Sequence, residues 1–148
     1  MCGKNLDEQC PTLQSSTAYD ANSSLANDGE VPLFGYTHTA DTPGSTDPWW
    51  MIDFISPKAV LGGMIWGRRD CCLTRLDGFE VWIGNSSTYN GTGNTVCFVA
   101  NTTEHDFSPY MHEFSCVGVA RFLFVMLPGE GRILSLLEIE IYPPTSGK

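Results

Sequence analysis

The residues best suited to chemistry crowd into one short stretch, Gly67-Arg68-Arg69-Asp70-Cys71-Cys72-Leu73-Thr74-Arg75. Three of the eight basic residues of a chain with formal net charge −9 fall within it. This local inversion of charge has two readings. One is a solvated turn whose arginines pair with nearby carboxylates. The other is a polar recognition pocket. Arginine offers five fixed N–H donors and no acceptor, which suits a ligand made of hydroxyl and ether oxygens. Asp70, between the arginines in sequence, could orient a guanidinium while keeping the site from being too repulsive.

Two adjacent cysteines can pair with each other only through a cramped eight-membered ring. A Cys71–Cys72 bridge would offer a flat, polarisable face to the carbon skeleton of a sugar, with arginines serving the sugar oxygens. The two could equally pair elsewhere or stay reduced. Cys97 and Cys116 are expected at the ends of two neighbouring strands, where a bridge would be structural. Cys2 and Cys10 then pair by elimination and pin the N-terminal arm. His38 lies in the polar loop Gly35-Tyr36-Thr37-His38-Thr39, and a lone loop histidine is more often a surface hydrogen-bonding residue than a functional one. His105 and His112 have nothing to set them apart. Trp49 and Trp50 open an alternating run, so they read as core and sheet packing and not as a stacking platform.

Catalysis finds little support. The chain has no Gly-x-Ser-x-Gly elbow, no His-Glu-x-x-His and no phosphate-cradling glycine loop. No pair of its many carboxylates stands out for glycoside hydrolysis. An even number of cysteines argues against a free thiolate nucleophile. The expectation is a protein that is not an enzyme.

These residues need a frame to hold them. With 148 residues, 42% hydrophobic and 17% charged, the chain has room for one domain, 1–148, with a real core. A net charge of −9 suits neither nucleic acid nor an anionic membrane surface. No apolar run is long enough for a bilayer-spanning helix, and the first residues carry no apolar signal region. Six cysteines without zinc spacing, with sequons at Asn22, Asn85, Asn90 and Asn101, point to disulfides and secretion.

Short alternating or wholly apolar runs recur, and none keeps a helical period. Trp50, Ile52 and Phe54 alternate; Ala59 to Trp66 is apolar; Phe79, Val81 and Ile83 alternate; Leu137, Ile139 and Ile141 close the series. Arg121 to Leu127 is apolar on both faces, which predicts a central strand. Residues 15–28 are polar, with room for a single helical turn. Glycine-, proline- and asparagine-rich stretches separate the runs, so the fold class is all-β, a β-sandwich of jelly-roll type.

Arg68-x-Asp70-x4-Arg75 enclosing Cys71-Cys72, with Thr37-His38-Thr39 upstream, resembles the fucose-binding motif of the F-type lectins, or fucolectins. Ala26-Asn27-Asp28-Gly29, Pro48-Trp49-Trp50-Met51-Ile52-Asp53, Leu76-Asp77-Gly78-Phe79-Glu80-Val81 and Leu137-Glu138-Ile139-Glu140-Ile141 extend the likeness over most of the chain. The resemblance implies a galactose-binding-domain-like jelly roll that binds terminal α-L-fucose on fucosylated glycans. His38, Arg68 and Arg75 would hydrogen-bond the sugar, Asp70 would belong to the same motif, and the Cys71–Cys72 pair would contact the ring. Tyr19 and Phe34 are the candidates for the pocket of the C6 methyl. The resemblance further implies a structural calcium, held by the carbonyls of Leu25, Glu30, Gly35 and Leu137 and the side chains of Asp28 and Glu138.

The chain departs from the family pattern where Gly35-Tyr36 stands for a common Ser-Cys and Leu137 for the partner cysteine. One family disulfide and one serine ligand are thereby lost. The interval from His38 to Arg68 is also longer, with the excess in Thr39 to Asp47, a loop expected to border the pocket. Homo-oligomers or tandem domains in a longer chain would fit such a module. The alternatives are a discoidin-like adhesion module binding protein or lipid, which would need exposed apolar loop tips, and the non-catalytic part of a larger enzyme or toxin.

Overall fold

The computed structural model describes residues 10–29, 35–40, 44–100 and 110–144. Its strands are β1 (Thr12–Gln14), β2 (Trp49–Trp66), β3 (Glu80–Gly84), β4 (Thr95–Val99), β5 (Met111–Met126) and β6 (Glu138–Tyr142). Single 3-10 turns occupy Ser23–Ala26 and Leu73–Leu76. All pairings are antiparallel, in the order β1-β2-β5-β3-β4, with β6 on β2.

The runs 49–54 and 59–66 join into one strand of 18 residues. Its pairing with β5 slips between Asp53 and Lys58 and again between Val60 and Gly62. Pro57 falls inside the first slip, where a missing N–H costs no ladder bond. At the second slip a Cβ on Gly62 would run into the Phe114 carbonyl, and on neighbouring Gly63 into that of Glu140. Only glycine lets the strands approach there.

The slips bend the long strands, so their halves serve different neighbours. The first half of β2 lies between β1 and residues 122–126 of β5; the second half lies between residues 111–115 of β5 and β6. Trp50, Ile52 and Phe54 from one half and Ile65 from the other nevertheless share one core with Val81, Ile83, Phe114, Leu123, Val125, Ile139 and Ile141. The sheet therefore folds over on itself around that core, which is the all-β sandwich the patterning predicts. The doubly apolar run in β5 is central, between β2 and β3. Its Leu123 and Val125 face the main core, while Phe122 and Phe124 meet Met51 on the other side, where Trp49, Trp82 and Tyr89 pack over them.

One expectation is corrected. Cys97 and Cys116 are bonded, but they lie within β4 and β5 and not at strand ends, and β3 separates those strands in the sheet. The bridge ties together two strands that share no ladder. Cys10 is buried and disulfide-bonded; Cys2, its expected partner, lies outside the described residues, as do Glu30, Phe34, Asn101 and His105.

Candidate functional site

The threonines of Thr37-His38-Thr39 decide where the histidine points. Both are fully buried. Thr37 N–H donates to the Leu136 carbonyl at 2.8 Å, and Leu136 N–H returns to Thr37 Oγ1 at 2.9 Å. Thr39 repeats the pattern with Leu134, at 3.1 and 2.9 Å. Successive residues of an extended segment face opposite ways. With both threonines fastened to residues 134–136, His38 is turned to the other side. Its Nδ1 donates to the Thr39 carbonyl at 2.6 Å. A carbonyl only accepts, so Nδ1 carries a proton, and Nε2 accepts from Arg75 Nη1 at 3.4 Å.

Cys71 and Cys72 are bonded to each other. Cys72 adopts a left-handed backbone, φ +69°, rare for a residue with a side chain. Its carbonyl accepts the Arg75 N–H at 3.0 Å and starts the 3-10 turn Leu73–Leu76. That bond sets Arg75 one turn beyond Cys72. Arg68, just beyond the end of β2, gives Nε–H and an Nη2–H to the two carboxylate oxygens of Asp70, at 3.0 and 2.7 Å. That pairing pushes the guanidinium pKa up and holds the Asp70 carboxyl below the ordinary carboxylate range. The face of the same guanidinium is covered by an aromatic ring: the Tyr36 ring centre lies 4.0 Å from the guanidinium carbon.

His38, Arg68, Cys71, Cys72 and Arg75 all line one open cleft of about 440 Å3, walled also by Tyr19 and Tyr36. The structure thus assembles the sequence motif in one place. Tyr19 is 77% exposed, at φ +57°, with its ring edge-on to His38 at 5.1 Å. Asp70 does not line the cleft among the described residues; it reaches the cleft only through its pairing with Arg68. The loop expected to border the cleft does not do so in its described part. Residues 44–47 are tied instead to Gly129 and Arg132, by backbone bonds from Ser45 and Asp47 and by the Asp47 carboxylate, which accepts the Gly129 N–H.

Sequence reasoning passed over three residues here. Tyr36 registers in the sequence only as a departure from the family pattern. His112 and Ser135 line a small cavity of about 10 Å3 together with Arg68, Cys72 and Arg75, with the Ser135 Oγ buried and without a hydrogen-bond partner among the described residues. No motif marks them, because they approach from β5 and from the segment before β6.

The residues expected around a calcium are only partly within view. Glu138 is buried, 2% exposed, and its Oε2 accepts the Gly29 N–H at 3.0 Å, beside Asp28. The 26–29 turn and the start of β6 are therefore in contact. Among the described residues no three His, Cys, Asp or Glu side chains cluster, so a cation here would depend on backbone carbonyls.

Residues 25–121 match the model of the NedA-like, galactose-binding domain family, a group of F5/F8 type C domains. The chain belongs to that family. It is homologous to the fucolectins as well. Fucolectin-1 of Anguilla japonica is 31% identical over 110 residues, 73% of this chain and 60% of the relative. The fucolectin structure from Morone saxatilis serum superposes with a TM-score of 0.76 at 31% identity, covering 90% of this chain and 46% of that one. A Streptococcus pneumoniae fucose-binding module gives 0.76 at 26% identity, covering 94% of each chain. This chain thus spans 60% of the first relative's length and under half of the second's. These relatives are lectins and binding modules, and the chain is a non-catalytic domain of the F-type lectin fold. No helix among the described residues is long and apolar enough to cross a membrane.

Proposed function

We propose that this chain is a secreted, calcium-containing lectin domain that binds terminal α-L-fucose on glycans without turnover. The carrying observation is the convergence of Arg68, Arg75, His38 and the Cys71–Cys72 face on one cleft. A pyranose presents hydroxyls around its rim and C–H groups on its faces. Two guanidinium groups and an imidazole address the rim, and a disulfide addresses a face. The names of the relatives, fucolectin and fucose-binding module, favour fucose among the pyranoses. Tyr19 then stands near the C6 methyl, with Phe34 as its expected companion.

A single monosaccharide offers few atoms, so affinity should fall in the micromolar-to-millimolar range, about 4–8 kcal/mol. Useful avidity needs several copies, in an oligomer or a longer chain. Disulfides at Cys71–Cys72 and Cys97–Cys116 agree with an oxidising compartment.

What supports a calcium ion in this reading is the buried Glu138 carboxylate beside the Asp28 turn. A buried carboxylate is costly unless it is compensated, and an all-oxygen set suits a hard cation. Asp28 and Glu138 would supply carboxylates, and Leu25, Glu30, Gly35 and Leu137 carbonyls. When bound, the ion would fasten the early loop to β6 and make no contact with sugar.

Calorimetric titration with L-fucose and D-galactose, backed by a glycan array with free L-fucose as competitor, tests the reading. Heat with fucose and competition on fucosylated glycans are expected. Binding of galactose with no response to fucose would overturn it.

A further inference from the structure

We propose that Tyr36 is a positioning residue whose ring holds the Arg68 guanidinium against Asp70, so that this arginine meets its ligand in one orientation. The inference rests on the sugar-binding reading of the cleft and adds a residue to it. An arginine side chain has many rotamers, and ordering it at the moment of binding weakens association. Asp70 restrains Arg68 along one edge, through Nε–H and one Nη2–H. That carboxylate sits on an exposed turn, and an edge contact alone leaves a hinge. Tyr36 supplies the second restraint, over the face of the guanidinium, at 4.0 Å. Edge and face together fix a plane. The Arg68 side chain is accordingly only 12% exposed, although it lines an open cleft. Its three other N–H groups, two on Nη1 and one on Nη2, lie away from the Asp70 fork and are available for ligand oxygens.

The ring is itself held in place. Tyr36 precedes Thr37, which is doubly hydrogen-bonded to Leu136. Its ring also sits 6.2 Å from that of His38. One short segment thereby sets both His38 and, through Tyr36, Arg68. The stacking residue occupies a position where a small side chain would leave the guanidinium face bare.

The test compares Y36F, Y36L and Y36A with the unmodified chain by calorimetry with L-fucose. Melting temperature is read in parallel, and the Arg68 Nε–Hε NMR resonance is followed without sugar. Y36F should bind as the unmodified chain does. Y36L, which keeps apolar bulk but no π face, should melt near the original temperature yet bind about tenfold more weakly, the scale of a lost cation–π contact. Y36A should lose the ring-current shift on Arg68. Unchanged binding by Y36L overturns the inference. So does an equal loss in Y36F, which would make the phenol oxygen a direct sugar contact. If the unmodified chain takes up no fucose, the reading of the site falls and the resonance alone decides. An Arg68 signal indifferent to Y36A overturns the inference, and one that moves sustains it.

Discussion

Arg75 Nη1 donates to His38 Nε2 across 3.4 Å, while Nδ1–H of the same ring donates to the Thr39 carbonyl. The contact is long, and each partner has reason to prefer a hydroxyl. A hydroxyl both donates and accepts, so one sugar oxygen can take the Arg75 N–H and give its own proton to Nε2.

Arg75→Ala should therefore weaken fucose by roughly ten- to a hundredfold, since a hydrogen bond to a charged group contributes about 1.5–3 kcal/mol. The melting temperature should hardly move. His38→Ala should weaken binding as well and also lower the melting temperature, because His38 is buried and bonded on both nitrogens. Calorimetry and a thermal melt of each variant check both statements.

Replacing Cys71 and Cys72 together by serine separates recognition from stability. A bridge between adjacent residues closes almost no loop, so its chain-entropy contribution is small beside that of Cys97–Cys116, which are 19 residues apart. The double variant should bind fucose much more weakly and melt close to the original temperature. Peptide mapping that finds free thiols at both positions, or a variant that binds normally, refutes the assignment.

Calcium should stabilise the fold by linkage, since it would bind the folded loop-to-β6 contact and not the unfolded chain. Excess chelator should lower the melting temperature, and added calcium should restore it. Glu138→Gln should melt lower from the start and respond little to chelator. A melting curve that chelator leaves unchanged removes calcium from the account.

The Arg68–Asp70 pair sets a pH window. The hydrogen bonds from Arg68 lower the Asp70 pKa. A carboxylate depressed in the folded state contributes fully above its unfolded pKa, about 3.9, and that contribution fades as pH falls through the lowered value. The share of affinity that depends on an ordered Arg68 should stay level from neutrality down to about pH 4 and decline only below it. Asp70→Asn should bind more weakly already at neutral pH and lack that acid step. Affinity measured against pH for both proteins decides.

The strands were legible because their signal is local. Alternation in Phe79-Val81-Ile83 and the doubly apolar run to Leu127 translate directly into which faces are buried. The union of two runs into β2 was not, because Pro57 reads as a strand breaker until its place in a register slip is known. The arginine–cysteine motif was legible because its residues are close in sequence. Tyr36, His112 and Ser135 were not, since they reach the same place from other segments and carry no motif. The placing of Cys97 and Cys116 at strand ends failed for a related reason. Bonded cysteines report proximity in space, which here runs between strands that do not pair.

The doubled bonds from Thr37 to Leu136 and from Thr39 to Leu134 make the histidine wall of the cleft part of the folded frame. A wall built that way works like a fixed gauge. An epimer with one hydroxyl reversed cannot draw His38 toward itself without breaking buried bonds, so it must leave an arginine N–H facing nothing. On the proposed reading, discrimination would then come from the misfit of the wrong ring more than from extra grip on the right one. A change of preference would have to come from exposed side chains such as Tyr19, with the threonine anchorage left intact.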